Sequence, residues 1–226
     1  FPPAVGLRET DARRLIDYGA MVFNALGPDT DLRRRIMAKA PDIVPWINTA
    51  CLRENLLPGG FGAAIYDAAT AGDITEDEAG MLVRSLLSAG VDTTVTALGN
   101  AMACFAANPD QYAQLRADPT LALSALEEVL RLTAPVQAFC RTANQDCEVA
   151  GIAIEEGTKI LCVLGAANTD PARWPDPERF DITRKSAGHL ALGIGVHMCV
   201  GQTIARAEGQ AVLTAIAQRV RAIEPL

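Results

Sequence analysis

Over most of its length the chain repeats its apolar and polar positions with the spacing of amphipathic helices. Residues 10–27, TDARRLIDYGAMVFNALG, carry that period, with Thr10 or Asp11 placed to cap the start and Gly27-Pro28 to end it. A second helical stretch covers roughly 31–55 and opens on DLRRR. It holds Pro41 and Pro45, which are expected to kink or divide it. LLPGGFG reads as a loop, followed by a short helix at about 61–71. TEDE at 75–78 is a capping box, with Thr75 as the cap and Glu78 at the third helical position. The helix it opens is predicted to run to Ala107, which is long for a globular domain. Asn108-Pro109 stops that helix and starts the next, and Asp118-Pro119 repeats the device for a helix to about Thr133. There the period changes. CEVAG, IAI and KILCVL are short apolar or alternating runs bounded by glycine, and they read as strands. NTDPARWPDPERFD is a proline-rich loop without a period, and a last helix is predicted over 202–219. The fold class is therefore mainly α with a small β patch.

Composition narrows the function classes. The 226 residues are 50% hydrophobic but only 5% aromatic, which describes an aliphatic core. A net charge of −7 argues against nucleic acid as a partner, because phosphate binding needs a basic surface. Six cysteines, at 51, 104, 140, 147, 162 and 199, form no C-x-x-C pair and suit neither a zinc site nor a compact disulfide frame. A reducing, cytoplasmic setting is expected. The opening FPPAVGL has neither the basic nor the apolar region of a signal peptide. The longest apolar region, 81–107, is interrupted by Arg84 and Asp92 and does not read as a membrane span.

One stretch turns a helical domain into a chemical one. Residues 192–201, LGIGVHMCVG, set Cys199 among Gly193, Gly195 and Gly201, with His197 two residues before the thiol and a helix directly after. Glycine lets a backbone pass close to a flat ligand. A cysteine ahead of a helix start faces peptide N–H groups and the positive end of the helix dipole, and both favour the thiolate. A second stretch, LLSAGVDTTVT at 86–96, puts Gly90 and a threonine pair inside the long helix. Each is a poor helix former, by up to about 1 kcal/mol relative to alanine. Ser85, Ala89, Thr93 and Thr96 share one small, weakly polar face. That face suits close helix packing, or a groove where a ligand lies against the backbone, with a local widening of the helix. EEVLR at 127–131 offers two carboxylates to one arginine, and the helical period does not choose between Glu127 and Glu128 as the partner of Arg131.

AGVDTT, E-x-x-R, DPERF and G-x-G-x-H-x-C-x-G occur in that order, and together they resemble the cytochromes P-450 over nearly all of the chain. The resemblance implies a partial cytochrome P-450 fold. It would be a single domain over 1–226 made of the middle and C-terminal part of such a protein, lacking the N-terminal part and the C-terminal tail. The long central helix would lie at about 75–107 and the thiolate loop before the last helix. The implied cofactor is heme b (iron protoporphyrin IX), with Cys199 as the iron ligand, a donor that pushes electron density onto the metal. Gly193 and Gly201 would shape the cofactor side of the loop, and Arg141 and His197 would hold the propionates. Asp92 and Thr93 would relay protons. The E-x-x-R motif selects Glu128 and Arg131, with Arg179 of DPERF as the third member of a structural triad pinning the approach to Cys199. Leu192 departs from the family, which usually has an aromatic residue there shielding the sulfur.

VFNALGP, LLPGGFGA, LVRSLLSAGVDTT, DITRKSAGH and GVHMCVGQ are similar to bacterial members that oxidise para-substituted benzoic acids, including O-demethylation of methoxybenzoates. That likeness implies an apolar slot lined by Phe23, Ala89, Val136 and Phe139. Arg84, Ser85 and Ser88 would lie towards the substrate carboxylate, Ser85 foremost because it shares the face of Thr93. The activity implied is a heme-thiolate monooxygenase acting on an aromatic carboxylic acid with dioxygen. A ferredoxin with its reductase would donate the electrons, and no nucleic acid or membrane would be involved. A peroxide-driven peroxygenase, a non-catalytic heme-binding protein and an inactive fragment are the alternatives.

Overall fold

The structure, a computed structural model, describes residues 1–224. It divides into two compact units, one of Phe1–Val95 and one from Thr96 onward.

In the first unit the short α1 (Pro2–Val5) is followed by α2 (Ala12–Ala25), α3 (Asp31–Met37), α4 (Ala40–Ala50), α5 (Phe61–Ala71) and most of α6 (Glu76–Ala107). The stretch expected to be divided by its prolines is divided. Pro41 lies in the first turn of α4, where a missing N–H costs nothing, and Pro45 is carried inside the helix. The capping box forms as read: the Thr75 N–H donates to Glu78 Oε2 at 2.7 Å and the Glu78 N–H donates to Thr75 Oγ1 at 3.2 Å. The core comprises Leu15, Tyr18 and Met21 from α2, Ile43 and Ile47 from α4, and Val83 and Leu87 from α6. It also explains Gly90. A Cβ there would fall 2.3 Å from the ring of Phe1, so the glycine admits an aromatic side chain against the helix. The helix is α throughout, and the expected local widening is absent.

The second unit takes the end of α6, then α7 (Pro109–Ala117), opened by Pro109, and α8 (Ala122–Thr133), preceded by a 3-10 turn that Pro119 opens. Strands β1 (Ala138–Thr142) and β4 (Lys159–Val163) pair antiparallel with Phe139 opposite Cys162 and Arg141 opposite Ile160. Strands β2 (Cys147–Val149) and β3 (Ile152–Ile154) form a separate hairpin turned by Ala150 and Gly151, both at positive φ, as a tight right-twisting hairpin requires. Two elements were not read from the sequence: β1, and the short α9 (Leu164–Asn168), which begins where KILCVL was expected to continue as strand. The last helix, α10 (Gln202–Arg219), has the expected bounds. It lies close on α8 because Gly209 has no side chain: a Cβ there would stand 2.5 Å from Leu126. Phe105, Leu115, Leu126, Val129, Ile182 and Leu213 are buried together, with Phe180 packed edge-on against Phe105. Among the described residues no helix is long and apolar enough to cross a membrane.

Phe105 is fully enclosed. In the full-length protein Phe105→Ala is expected to lose about 3–5 kcal/mol in a urea melt.

Candidate functional site

The Cys199 loop is a closed turn. The Cys199 N–H donates to the Leu192 carbonyl at 2.7 Å, the Met198 N–H to the Gly195 carbonyl at 3.0 Å, and the Gln202 N–H, at the start of α10, to the Cys199 carbonyl at 3.3 Å. Gly193 has φ +71°, and a Cβ there would meet the His197 carbonyl oxygen at 2.7 Å, so both the turn and the approach demand glycine. Gly201 has an ordinary φ of −82°; a Cβ there would lie 3.9 Å from Cys199 Sγ, so its glycine leaves one side of the sulfur open. Cys199 itself is half-buried. Ile194, Val196, Met198 and Val200 are exposed, Val196 almost completely at 98%.

These features fit a heme. Among the described residues no group of three or more His, Cys, Asp or Glu side chains could hold a metal ion. A single thiol in such a loop suits a metal that brings its other ligands, as iron in a porphyrin does. The loop around the thiol is apolar, as a porphyrin face requires. His197 is exposed beside it, and Arg141 is exposed on β1 with its guanidinium 5.7 Å from the Phe139 ring and Nη1 donating to the Cys140 carbonyl. Arg141 is a fixed cation and His197 a ring N–H donor, and both are suited to the carboxylates on a heme edge.

The two adjacent carboxylates of α8 take different partners. Glu128, with no solvent exposure, accepts from Arg131 Nε at 2.8 Å and Nη2 at 2.9 Å, from Ser186 Oγ at 2.7 Å and from the Asp181 N–H at 3.2 Å. The expectation that Arg179 is the third member of this triad is corrected: Arg184 donates to Glu128 Oε1 at 3.0 Å, and Arg179 lies exposed. DPERF contributes backbone instead. Arg184 donates to the carbonyls of Pro175, Asp176 and Arg179, so the motif holds the arginine that reaches the carboxylate. Arg131 also donates to the Asn168 carbonyl at 2.8 Å and lies over Trp174.

Glu127 binds Arg206 of α10, through Nε at 2.6 Å and Nη2 at 3.3 Å, and His189 Nε2 at 3.0 Å. Burial alone would raise its pKa. Hydrogen bonds and charge from His189 and Arg206 outweigh that and bring it down from 4.5 to about 2. Sequence reasoning left His189, with Asn168, as loop structure and passed over Arg206. The signal was there: two carboxylates beside one arginine leave one acid in need of another cation.

In the first unit, α6 carries the remaining candidates. Thr93 Oγ1 donates to the Ala89 carbonyl at 2.7 Å, and Asp92 beside it is half-buried, its Cβ 3.3 Å from where a Cβ on Gly19 would lie. Ser85 Oγ donates to the Met81 carbonyl and Ser88 Oγ to the Ser85 carbonyl. Arg84 turns to Tyr18, whose hydroxyl accepts from Nε at 3.0 Å, and to Asn48 Oδ1 at 3.1 Å. Phe23 is half-buried on α2 and Ala89 exposed on α6. Val136, half-buried, and Phe139, 41% exposed, belong to the second unit.

The cytochrome P450 family profile matches residues 63–224. The chain is 51% identical over 224 residues to cytochrome P450 CYP199A2 of Rhodopseudomonas palustris, covering 99% of this chain and 54% of that protein. It is 39% identical over 152 residues to 6-deoxyerythronolide B hydroxylase of Saccharopolyspora erythraea, covering 67% of this chain and 38% of that one. Among solved structures, cytochrome P450 CREJ matches with a TM-score of 0.88 at 28% identity, covering 96% of this chain and 56% of its own. The same protein in complex with (4-ethylphenyl) dihydrogen phosphate matches at 0.87 and 27% identity, covering 96% of this chain and 55% of its own. The chain belongs to the cytochrome P450 family, whose cofactor is heme, and it spans roughly half or less of the length of these curated relatives.

Two outcomes follow from the carboxylates. Arg184→Ala removes a partner of a buried charge and is expected to cost about 3–5 kcal/mol, whereas Arg179→Ala should stay within about 0.5 kcal/mol in the same melt. The pKa of Glu127 is depressed by folding, so its contribution to stability is complete above pH about 4.5 and is lost as pH falls towards about 2. The stability gap between wild type and Glu127→Gln should therefore be constant from pH 7 to 5 and narrow below pH 4.5 in chemical melts.

Proposed function

We propose that the full-length protein is a heme-thiolate monooxygenase that inserts one oxygen atom of dioxygen into para-substituted benzoic acids, by O-demethylation or hydroxylation. The observation that carries this reading is the Cys199 loop: a half-buried thiol in a turn closed by its own N–H on Leu192 and passable at position 193 only by glycine. Heme, when bound there, supplies dioxygen activation, with the second oxygen atom leaving as water after uptake of two electrons and two protons.

The chain's own residues would hold the thiolate and bring the protons. With its hydrogen engaged on the Ala89 carbonyl, Thr93 Oγ1 offers lone pairs and acts as an acceptor. Asp92, beside it, is the group able to take up a proton from solvent and pass it on. Phe23, Ala89, Val136 and Phe139 are proposed to line the substrate slot. Ser85 and Ser88 would bind the substrate carboxylate by turning from the helix carbonyls they now bond. Arg84, held by Tyr18 and Asn48, would add a fixed positive charge. The bacterial benzoate-oxidiser motifs and the 51% identity to CYP199A2 support this substrate class. So does the CREJ ligand, a para-substituted aromatic anion. Hydroxylation of a para-methoxy methyl group would release formaldehyde and leave the phenol. The electrons would come one at a time from a ferredoxin and its reductase, in the cytoplasm.

The full-length protein is expected to give, once reduced and exposed to carbon monoxide, the strongly red-shifted Soret band of a thiolate-ligated heme, and Cys199→Ala to abolish it. In a spin-state titration over benzoates, fatty acids and terpenes, only para-substituted benzoates should shift the spectrum. A shift with none of the benzoates would remove the substrate class and leave the heme reading standing.

A further inference from the structure

The Cys199 loop has little packing of its own. Ala191 and Leu192 rest on the core of the second unit, but Ile194, Val196, Met198 and Val200 point away from protein and are exposed. Its position depends on its two stems, and both stems lead to the same carboxylate. On the upstream stem, the Ala191 N–H donates to His189 Nδ1 at 3.2 Å. That places a proton on Nε2, which donates to Glu127 Oε2 at 3.0 Å. On the downstream stem, Arg206 grips Glu127 through Nε and Nη2, and its Nη1 donates to Gln202 Oε1 at 2.6 Å. Gln202 in turn donates its N–H to the Cys199 carbonyl. The Cys199 N–H on Leu192 closes the circuit.

We propose that Glu127 is a positioning residue for Cys199: one carboxylate on α8 fastens both stems of the loop and holds the sulfur in register as an iron ligand. Glu127 is distinct in this from Glu128, which ties down residues 181–186 and Arg131 and contacts neither stem of the loop. Its charge acts as well as its geometry. The hydrogen bond to Glu127 raises the pKa of Arg206, burial opposes this, and the Glu127 charge raises it further. Removing the carboxylate leaves the Arg206 charge without its ion-pair partner.

The inference rests on the heme-thiolate reading, and the test separates the two. In the heme-loaded, full-length protein, Glu127→Gln is expected to lose most of the red-shifted carbon monoxide band to the unshifted position of a heme whose thiolate is displaced or protonated. The iron reduction potential should rise in the same variant. His189→Ala, which cuts the upstream stem and leaves the Arg206 pair, should give a smaller loss, and Glu127→Asp should restore part of the band. Phe105→Ala serves as a stability control, since it weakens the core on which Ala191 and Leu192 rest without removing any of these hydrogen bonds. A Glu127→Gln protein with the wild-type band and potential overturns the proposal. So does a Phe105→Ala protein that loses as much of the band at an equal loss of melting temperature, because the effect would then be general destabilisation. A wild-type protein without any red-shifted band overturns the heme-thiolate reading itself.

Discussion

A carboxylate with no solvent exposure sets the terms for the second unit. Taking an ion out of water costs several kcal/mol even after relaxation, and only close charge and a full set of donors offset it. Glu128 receives two guanidinium bonds from Arg131, a third from Arg184, a hydroxyl and a backbone N–H. Arg131, equally enclosed, spends a further N–H on the Asn168 carbonyl and its flat face on Trp174. The pair therefore fixes more than itself. A segment without helix or strand between α9 and the Cys199 loop would otherwise have only scattered apolar contacts. Here its residues at 181, 184 and 186 are bound to one point on α8, and α9 to the next turn of the same helix.

The neighbouring acid carries that rigidity forward. Successive residues on a helix diverge by about 100°, so Glu127 and Glu128 cannot share a partner set. Glu128 faces the long irregular segment, and Glu127 faces α10 and the loop stems. Asn168 links the two systems. Its backbone carbonyl accepts from Arg131, and its side-chain oxygen takes the Leu190 N–H at 2.6 Å, one residue from the His189 that binds Glu127. The Cys199 loop closes on its own backbone hydrogen bonds, but its glycines and exposed apolar residues give it little side-chain packing. Two adjacent acids on α8 bind the segments that lead into it.

What the sequence made legible was local. The Thr75–Glu78 cap, the proline starts of α4, α7 and the turn before α8, and the bounds of α10 follow from chemistry within four residues, and all appear in the structure. The reason for Gly90 was not legible, because its partner, Phe1, is far away in sequence. Arg184 was missed for the same reason. Arg179 and Arg184 lie five residues apart in a segment without a period, so no face could be assigned to either, and the motif drew attention to the first. β1 carries Arg141 and Thr142 in a two-stranded, mostly exposed ladder, which leaves no alternation of buried and exposed positions to read.

The cysteines show how environment, and not residue type, separates chemistry from packing. Cys51 and Cys104 lie in the apolar parts of their units, and burial pushes both thiols up to about 11, which keeps them protonated and inert. The Arg84 charge opposes this at Cys51 and the Glu128 charge adds to it at Cys104. Cys199 is built the other way. It sits at the edge of the core, in a turn whose glycines keep side chains off it, three residues before a helix N-terminus, and within the field of an arginine whose own partner is fixed. A thiol meant only to fill space is served by enclosure. The metal-donor role proposed for Cys199 calls for an open side, a fixed backbone and nearby positive charge, and Gly201, Gly193 and Arg206 are the residues that would supply them.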